Sequence, residues 1–342
     1  MPSSSIRGKR LLGFVVLFFL LVGVGFAIYS GYHLRKMTRE WYQPLPVKEQ
    51  TPQRIEAVLP TDQPVQPKFA APAIPIPAVP IPKPGPLKPF TLLLIGTDSR
   101  DGERARSDTM ILAAVHPKKQ RAYLLSIPRD SFMNLPSKGY DKVNHAMAFG
   151  GTALVRKSLE NFFDLKIDRY MAIDFEGFRK IIDELGGVEV NVKKRMKYTD
   201  PTDDTYINLS PGIQTLNGKQ ALDYARYRRS DIGPDDGDFE RILRQQELIR
   251  ALAQKGNTAQ AFFKAFKLMD ILGKHVKTDL TETELASLLF TYYDSRQNEL
   301  EMETLKGTDG RIWRHGTLGW YYFIPPKERE RIRSRFAEEL AR

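Results

Sequence analysis

The sequence predicts an α/β fold, a layered α/β/α sandwich with a central mixed sheet. Short apolar runs of strand character alternate with stretches of helical periodicity from Phe90 to the C-terminus. This interleaving is typical of sheets that are covered by helices. With 342 residues, the chain is long enough for one large domain with a sizeable core. One N-terminal transmembrane helix is expected to precede this domain.

An apolar run near the N-terminus predicts a membrane anchor. Residues 11–32 carry no acidic or basic side chain, and the run is close to the roughly 20 residues that span a bilayer as a helix. A cleaved signal peptide is the competing interpretation, but it predicts a shorter apolar core followed by a small-x-small site, which is not evident here. We therefore expect residues 1–10 to be a short cytoplasmic tail and residues 11–32 a signal anchor. The protein would then be a single-pass protein of the cell membrane, with its folded domain extracytoplasmic.

A proline-rich segment separates this anchor from the folded domain. Residues 33–89 hold most of the chain's 23 prolines. Proline fixes φ and removes a backbone donor, so neither a helix nor an internal strand is expected there. The segment fits either a polyproline II spacer that holds the domain away from the membrane or a plain linker, and both interpretations stay open. The folded domain is accordingly expected over residues 90–342.

The first half of the domain is predicted to begin with three strands. Residues 90–96 are a short continuous apolar run, which is typical of a buried strand. The runs at 109–115 and 122–127 flank the polar turn HPKKQR and predict an antiparallel hairpin. A helix is predicted at 153–163 and a further strand at 169–175.

The second half is predicted to be richer in helix. Apolar spacing predicts a helix over 175–187, ended by a glycine at its C-cap, and strict alternation predicts a strand at 188–192. Asp238 is suited to cap the N-terminus of a helix over 239–254. The remaining predictions are helices at 216–228, 259–272 and 281–292, a strand at 320–325 and a basic helix from Lys327.

Charged residues are predicted to meet at one edge of the sheet. Asp98 follows the first strand, Asp108 begins the second, and Arg129 lies just past the third. Because the second and third strands form a hairpin, the start of one lies beside the end of the other. Arg100 and Arg106 lie between the first two strands. All five residues are therefore expected on one rim.

A second cluster of arginines lies in the second half of the domain. Positions 241, 244 and 245 fall on one stripe of the long predicted helix, so Arg241, Arg244 and Gln245 are expected to share a polar face. Phe239 falls elsewhere on this helix and is expected to be buried. Two more arginines end the preceding predicted helix, Arg226 and Arg228.

These residue types indicate chemistry on a phosphorylated substrate. Carboxylates can hold a hard divalent cation, and arginines can clamp phosphate oxygens. The net charge of +11 suits an anionic partner without choosing between nucleic acid, acidic lipid and a phosphorylated glycan. Taken singly, any one of these arginines is more often a solvated or salt-bridged surface residue. The chain has no cysteine, and its five histidines show no ligand spacing, so neither a disulfide nor a zinc site is predicted.

Several pieces of the sequence resemble, in the same order, those of the LytR–CpsA–Psr family of bacterial envelope proteins. The pieces are LLLIGTDSR, RSDTMIL, LLSIPRDS, KVNHAMAFGG, IDRYMAIDFEGFRKIIDELGGVEV, LNGKQALDYARYRR and DFERILRQQ. Each piece is weak alone, but their number, order and spacing make the resemblance specific. It covers about residues 90–252, with weaker similarity up to the C-terminus.

The resemblance implies a magnesium-dependent transferase that moves a glycopolymer from a polyprenyl-pyrophosphate carrier to peptidoglycan and leaves a phosphodiester link. By motif position, it implies that Asp98 and Asp108 hold Mg²⁺ and that these two residues and Arg129 are catalytic. It also implies a set of side chains around the pyrophosphate: Arg100, Arg106, Arg129, Arg226, Arg228, Arg241, Arg244 and Gln245. An apolar cavity under the sheet would hold the prenyl chain.

Other functions stay open from the sequence alone. The same site could use water as the acceptor and hydrolyse the prenyl pyrophosphate. A non-catalytic, membrane-anchored regulator would bind the lipid without turnover. The expected partners are the lipid-linked glycan, the peptidoglycan acceptor and the cytoplasmic membrane, whereas nucleic acid is not expected because only the positive charge favours it. Teichoic acid, capsule, arabinogalactan and a secondary wall polysaccharide all fit as the polymer. Either Asp98 or Asp108 could serve as the base, or the metal could lower the pKa of the attacking hydroxyl.

Overall fold

The structure is a computed structural model, and it describes most of the chain from residue 87 onward. The described residues are 87–98, 106–202, 204–256, 268, 271, 273–281, 283–285, 287–288 and 299–341. The predicted tail, anchor and nearly all of the linker lie outside these residues, as does Arg100. Among the described helices, none is long and apolar enough to cross a membrane.

Fourteen strands are present in the described part of the chain. They are β1 (Phe90–Asp98), β2 (Arg106–His116), β3 (Arg121–Ser126), β4 (Phe132–Leu135), β5 (Gly139–Lys142), β6 (Arg169–Asp174), β7 (Val188–Val192), β8 (Met196–Asp200), β9 (Thr205–Leu209), β10 (Gly212–Leu216), β11 (Val276–Thr278), β12 (Glu299–Thr304), β13 (Thr308–Arg314) and β14 (Thr317–Phe323). The helices that matter for the site are α1 (His145–Phe163), α2 (Phe175–Glu184), α3 (Gly218–Arg226), α4 (Asp238–Gly256) and α5 (Pro326–Ala341).

A six-stranded mixed sheet forms the centre of the domain, in the order β11-β6-β1-β2-β3-β12. The pairs β1–β6 and β3–β12 are parallel, and the other neighbours are antiparallel. This confirms the predicted central mixed sheet of an α/β fold and the predicted antiparallel hairpin of β2 and β3. The remaining strands form separate two-stranded pairs, namely β7–β10, β8–β9, β4–β5 and β13–β14.

Elements pack on both faces of the central sheet. Leu93 of β1 is fully buried in a core with Leu159 of α1 and Phe336 of α5. The preceding residue, Leu92, belongs to a core on the opposite face, where Ile249 of α4 packs. Because successive side chains of a strand point to opposite faces, both faces of β1 are apolar. This is why β1 is a continuous apolar run in the sequence.

A further core holds the elements that carry the site. Buried side chains from α2, β7, α3 and α4 meet there, including Ile182, Val190, Tyr224 and Leu248. The start of α3 is fixed by a capping box, in which Asn217 and Gln220 exchange side-chain to backbone hydrogen bonds. The orientation of α3 and α4 is therefore set by packing and by a defined helix start.

The structure corrects one predicted boundary and adds elements. Helix α1 begins at His145 rather than at residue 153, and it is interrupted at Gly150 and Gly151, of which Gly151 has φ 62°. The two glycines break the helical pattern, so the sequence predicted only the second part of the helix. Eight of the strands were not predicted, namely β4, β5, β8, β9, β10, β11, β12 and β13. The helices predicted at 259–272 and 281–292 fall largely outside the described residues.

Gly218 allows α3 to approach α2 closely. A β-carbon at this position would lie 2.7 Å from the carbonyl carbon and 2.8 Å from the Cα of Arg179. Because both atoms belong to the backbone, the helices would have to separate. We expect Gly218→Ala to lower the free energy of unfolding by about 1–3 kcal/mol, measured by denaturant titration of the full chain. Gly233→Ala is the control, because a β-carbon there would meet nothing nearer than 3.9 Å. Equal effects of the two variants would contradict the close approach.

Candidate active site

A β-bulge sets the position of one predicted carboxylate. The β1–β2 ladder pairs Gly96 with Thr109 and then Thr97 with Ser107, so Asp108 lies opposite no residue of β1. A bulge of this kind disturbs the regular alternation of a strand and turns a side chain in a new direction. As a result the consecutive residues Asp108 and Thr109 both line the same cavity.

The structure brings Asp98 and Asp108 together. Asp98 is the last residue of β1, and it lines the same cavity as Asp108. Arg106 is the first residue of β2 and lies opposite Asp98 in the ladder. Arg100 lies in the segment that is not described, between these two strands.

The cavity that these residues line has a volume of about 920 Å³. The central sheet and helices α2, α3 and α4 all contribute to its wall. Most of the predicted site residues are in its lining, and the described ones are Asp98, Asp108, Arg129, Arg226, Arg228, Arg241 and Gln245. The structure adds charged and polar residues to this wall that were not predicted, namely Asp130, Lys142, Asn144, His145 and Arg229.

The lining changes from charged to apolar along the elements that form it. On β1 it passes from Asp98 back to Leu94, and on α4 it passes from Arg241 to Leu252. Eleven residues of helix separate Arg241 from Leu252, which corresponds to roughly 16 Å at the usual helical rise. The apolar part also includes Met171 of β6. The cavity is therefore polar at one end and apolar at the other, as an amphiphilic ligand requires.

Ion pairs organise the charged end. Arg129 Nη1 donates to Asp108 Oδ1 at 2.8 Å. Lys142 Nζ lies 2.7 Å from Asp130 Oδ1. Arg241 Nη2 is 3.4 Å from the backbone oxygen of Asp108. Side chains from β2, from the segment after β3 and from α4 are thus held in one network.

Asp238 lies at the centre of this network. The sequence predicted it as the N-cap of α4, and the structure places it as the first residue of the helix. Its carboxylate lies 3.0 Å from Arg241, 3.5 Å from Arg129 and 3.9 Å from Arg228. Without this negative charge the guanidinium groups would repel one another. Asp238 therefore allows several arginines to share one small volume.

The pKa shifts reflect burial and neighbouring charge. Burial alone would raise the pKa of Asp108, but the charge and hydrogen bond of Arg129 outweigh burial and lower it. Burial raises the pKa of Asp238, against the opposing effect of Arg241 and Arg129. The pKa of Arg241 is lowered, first by burial and also by the nearby charge of Arg129. Asp108 is thus a firmly ionised carboxylate at neutral pH.

Two buried donors in this network point to an anionic ligand. Within the described residues, the Nε atoms of Arg129 and Arg241 are buried and make no hydrogen bond, although Nε of Arg129 lies 3.5 Å from Asp238 Oδ1. A buried donor without an acceptor is unfavourable by about 1–3 kcal/mol. Phosphate oxygens could accept from both guanidinium groups, because arginine forks match phosphate geometry.

Arg226 and Gln245 line the cavity with contacts of their own. The guanidinium carbon of Arg226 lies 5.0 Å from the centre of the Phe175 ring. Gln245 Nε2 lies 3.4 Å from the backbone oxygen of Ala225, at the end of α3. Both side chains are therefore held by neighbouring elements while they face the cavity.

Arg244 is placed differently from the other predicted arginines. It does not line the cavity and is 7% exposed. Its Nε donates to the backbone oxygen of Tyr224 at 3.0 Å, its Nη2 to that of Tyr227, and its Nη1 to Asp236 Oδ2 at 2.6 Å. Its guanidinium therefore fastens the segment between α3 and α4. Its predicted contact with pyrophosphate stays a prediction.

Two neighbours of Arg244 on the same helix make contacts outside the cavity. Phe239, which was expected to be buried, is 38% exposed and packs its edge against the ring of Tyr322. Gln246 is buried, and its amide donates to Ser126 Oγ at 2.9 Å and to Thr304 Oγ1 at 3.1 Å. Gln246 thus attaches α4 to β3 and β12, behind the cavity.

A divalent cation fits the carboxylates at the charged end. Within the described residues no group of three or more His, Cys, Asp or Glu side chains could hold a metal ion. However, Mg²⁺ usually keeps several waters and is held by one or two carboxylates together with substrate phosphates. Asp98 and Asp108, which line one wall of the cavity, therefore fit a cation that a phosphorylated ligand helps to bind.

The fold and the cavity first define a class of protein. An α/β domain with buried arginines and carboxylates at one end of a deep cavity, and apolar side chains at the other, is suited to bind an amphiphile that carries phosphate. The LytR_cpsA_psr family model matches residues 74–338 of the chain. The chain therefore belongs to the LytR_cpsA_psr family.

Known proteins agree with this assignment. The polyisoprenyl-teichoic acid–peptidoglycan teichoic acid transferase TagU of Oceanobacillus iheyensis is 38% identical over 252 residues, which is 71% of this chain and 73% of that protein. The transferase of the same name from Bacillus subtilis strain 168 is 36% identical over 236 residues, 69% of this chain and 72% of that protein. The crystal structure of B. subtilis TagV matches with a TM-score of 0.64 and 29% identity, covering 74% of this chain and 98% of TagV.

The contacts of Arg244 generate a prediction about stability. Arg244→Ala removes one partner of a buried ion pair and leaves the carbonyl oxygens of Tyr224 and Tyr227 without this donor. We expect it to lower the free energy of unfolding by about 3 kcal/mol, measured by denaturant titration of the full chain. Arg250→Ala, on the exposed side of the same helix, should change it by less than about 0.5 kcal/mol. A stable Arg244→Ala variant that loses only ligand binding would contradict the fastening role.

Proposed function

We propose that this protein transfers a glycopolymer from a polyprenyl-pyrophosphate carrier to peptidoglycan during cell-wall assembly. The observation that carries the proposal is the cavity, which joins an arginine–carboxylate network to an apolar compartment. Only a ligand with both phosphate and hydrocarbon uses both ends. The TagU relatives are named as polyisoprenyl-teichoic acid–peptidoglycan teichoic acid transferases, so we propose teichoic acid as the class of polymer.

The side chains of the cavity suggest how the reaction proceeds. The prenyl chain occupies the apolar end, beside Leu252 and Met171, and the pyrophosphate reaches Arg129, Arg228 and Arg241 at the other end. A hydroxyl of peptidoglycan attacks the phosphorus that carries the glycan. The bond from this phosphorus to the bridging oxygen breaks, and prenyl phosphate leaves. The arginines stabilise the negative charge that develops on the leaving group.

Mg²⁺ is the cofactor that we propose for this site. Asp98 and Asp108 would hold it, and when bound it would supply charge neutralisation at the pyrophosphate. Arg129 keeps Asp108 ionised and oriented through their 2.8 Å contact. The proposal is supported by the chemistry of the two carboxylates and by their common cavity.

The cellular setting is also part of the proposal. We propose that residues 11–32 anchor the chain in the cytoplasmic membrane and that the domain lies on the extracytoplasmic side. The apolar sequence of residues 11–32 supports the anchor. A polyprenyl carrier is a membrane lipid, and peptidoglycan lies outside the membrane, so this arrangement gives one domain access to both substrates.

Arg228 offers a sharp test of the site. Arg228 lines the cavity, and its ion pair with Asp238 is long, at 3.9 Å. Removing the Arg228 side chain should therefore leave the fold intact. We expect Arg228→Ala to lower transfer by about 10- to 100-fold, the value of a hydrogen bond to a charged group. The full chain in detergent would be given a polyprenyl-pyrophosphate-linked glycan and peptidoglycan oligomers, with products followed by mass spectrometry.

The control for this test is Arg333→Ala, which removes an arginine on the surface that pairs with Asp164 and Glu330 away from the cavity. It should leave transfer unchanged. The covalent glycan–peptidoglycan product would support the transferase. Free glycan phosphate in the absence of peptidoglycan would instead indicate a hydrolase, and bound but unchanged lipid would indicate a binding protein.

The proposed metal site generates a separate prediction. Chelation with EDTA should abolish transfer, and added Mg²⁺ should restore it. Asp108→Asn should raise the Mg²⁺ concentration for half-maximal rate at least about 10-fold, since even outer-shell partners of a metal are worth that much. Asp164→Asn, on the surface, should leave this concentration unchanged. Full activity in EDTA would rule out the proposed cofactor.

A further inference from the structure

A histidine with a buried carboxylate behind it faces the cavity. His145, the first residue of α1, is part of the cavity lining and its side chain is 35% exposed. Its Nδ1 lies 3.1 Å from Oδ2 of Asp141. Asp141 is only 3% exposed. His145 lies in the KVNHAMAFGG piece of the family resemblance, but nothing in the sequence assigned a role to it or paired it with Asp141.

The contacts of Asp141 keep its carboxylate ionised and oriented. Oδ1 accepts from the backbone N–H of Lys142 at 2.8 Å, and Oδ2 also lies 3.2 Å from Nε2 of His315. Burial alone would raise the pKa of Asp141, but the hydrogen bonds from His145, Lys142 and His315 outweigh it and lower the pKa. An ionised carboxylate only accepts hydrogen bonds, so it fixes the proton of His145 on Nδ1. The lone pair of the ring is then on Nε2.

This lone pair is available at the charged end of the cavity. Among the described residues, no side chain makes a hydrogen bond or ion pair with Nε2 of His145. The backbone N–H of the preceding residue, Asn144, donates to the backbone oxygen of Arg129 at 3.2 Å, so His145 is anchored beside the arginine network. Asn144 also lines the cavity, and its Oδ1 is buried with no hydrogen-bond partner in the described part of the chain. Two acceptors thus lie side by side.

The aspartates of the site are poorly suited to accept a proton. Asp108 is paired with Arg129 at 2.8 Å and its pKa is lowered, so it holds a proton weakly. Asp98 and Asp108 are also the proposed ligands of Mg²⁺, which would occupy their oxygens. A neutral imidazole is a better base near neutral pH.

We propose that His145 is the general base for the acceptor hydroxyl and that Asp141 is its positioning residue. The inference rests on the proposed transfer reaction. The hydroxyl oxygen forms a bond to the phosphorus that carries the glycan, and its proton passes to Nε2 of His145. The bond from that phosphorus to the bridging oxygen breaks, and prenyl phosphate leaves with the electron pair. Asn144 Oδ1 accepts a hydrogen bond from a second hydroxyl of the acceptor sugar.

The proposal sets a direction for the pH dependence. A protonated imidazole cannot accept the proton, so the transfer rate should fall as the medium is acidified. The charged and titratable groups around His145 are Asp141 and Lys142 of β5, His315 at the β13–β14 turn, and Asp130, which Lys142 contacts at 2.7 Å.

The test compares two histidines in matched settings. His275 also places Nδ1 3.1 Å from a carboxylate, that of Asp174, but its Nε2 lies 3.0 Å from Lys180 Nζ and His275 is absent from the cavity lining. With the full chain in detergent, His145→Gln should lower kcat by about 100-fold or more with little change in KM for the lipid. The acidic fall of the rate should also disappear. His275→Gln should keep both the rate and the pH profile within a few-fold of the original chain.

Two further measurements separate this proposal from the transfer reaction itself. Added imidazole should restore part of the rate to His145→Ala, which a merely structural role would not allow. If the unaltered chain gives no product with the glycans supplied, the transfer proposal fails. Contact between His145 and the acceptor is then tested separately by NMR. Its Nε2 resonance, assigned by its absence from the spectrum of His145→Gln, should then shift when a peptidoglycan fragment is added. Either a His145→Gln variant with an unchanged rate and pH profile, or an unshifted resonance, would overturn the assignment.

Discussion

The structure depends most on a buried network in which arginines are neutralised by aspartates. Arg129 and Arg241 share Asp238, and Arg129 also holds Asp108. Taking such charges out of water is unfavourable, and a well-packed apolar cluster would often serve stability as well or better. The network is therefore better explained as a preorganised binding site for an anionic ligand than as a source of stability. Oriented guanidinium groups need no reorganisation when phosphate arrives, and the aspartates allow them to remain close together before it does.

Backbone geometry brings the members of this network to one place. The bulge at Asp108 sits where β1 ends, and the β2–β3 hairpin returns the chain so that Arg129 lies beside it. The N-terminus of α4 then supplies Asp238 and Arg241. Behind the cavity, Gln246 binds side chains of β3 and β12, so the helix is registered against the sheet. The relative positions of these charged side chains therefore depend on the strand register and on the placement of α4 against the sheet.

Four strands of the central sheet were predicted from their apolar sequences, whereas the edge strands β11 and β12 were not. The predicted strand order and hairpin also brought Asp98, Asp108 and Arg129 to one rim. The sequence was less informative where tertiary contacts decide. Helical spacing grouped Arg244 with Arg241, but the backbone oxygens of two tyrosines hold Arg244 away from the cavity. No local sequence pattern predicted the β-bulge, so the direction of the Asp108 side chain could not be predicted. The same is true of the Asp141–His145 pair, whose proximity arises from a strand and a helix start that the sequence did not indicate.

The gradient along the cavity assigns different tasks to its two ends. Apolar contacts along α4 and β6 favour any hydrocarbon chain in proportion to the area buried, and they do not distinguish one chemical end of a ligand from another. The charged end would do so, because the proposed pyrophosphate would offer oxygens to the buried Nε atoms of Arg129 and Arg241. In the reaction that we propose, binding energy gained by the lipid chain, far from the reacting phosphorus, would help to hold the pyrophosphate near Arg129 and Arg241 while bonds change. The apolar compartment takes no part in the bond changes. A longer compartment would bury more of the lipid chain and so would help to position the reacting groups.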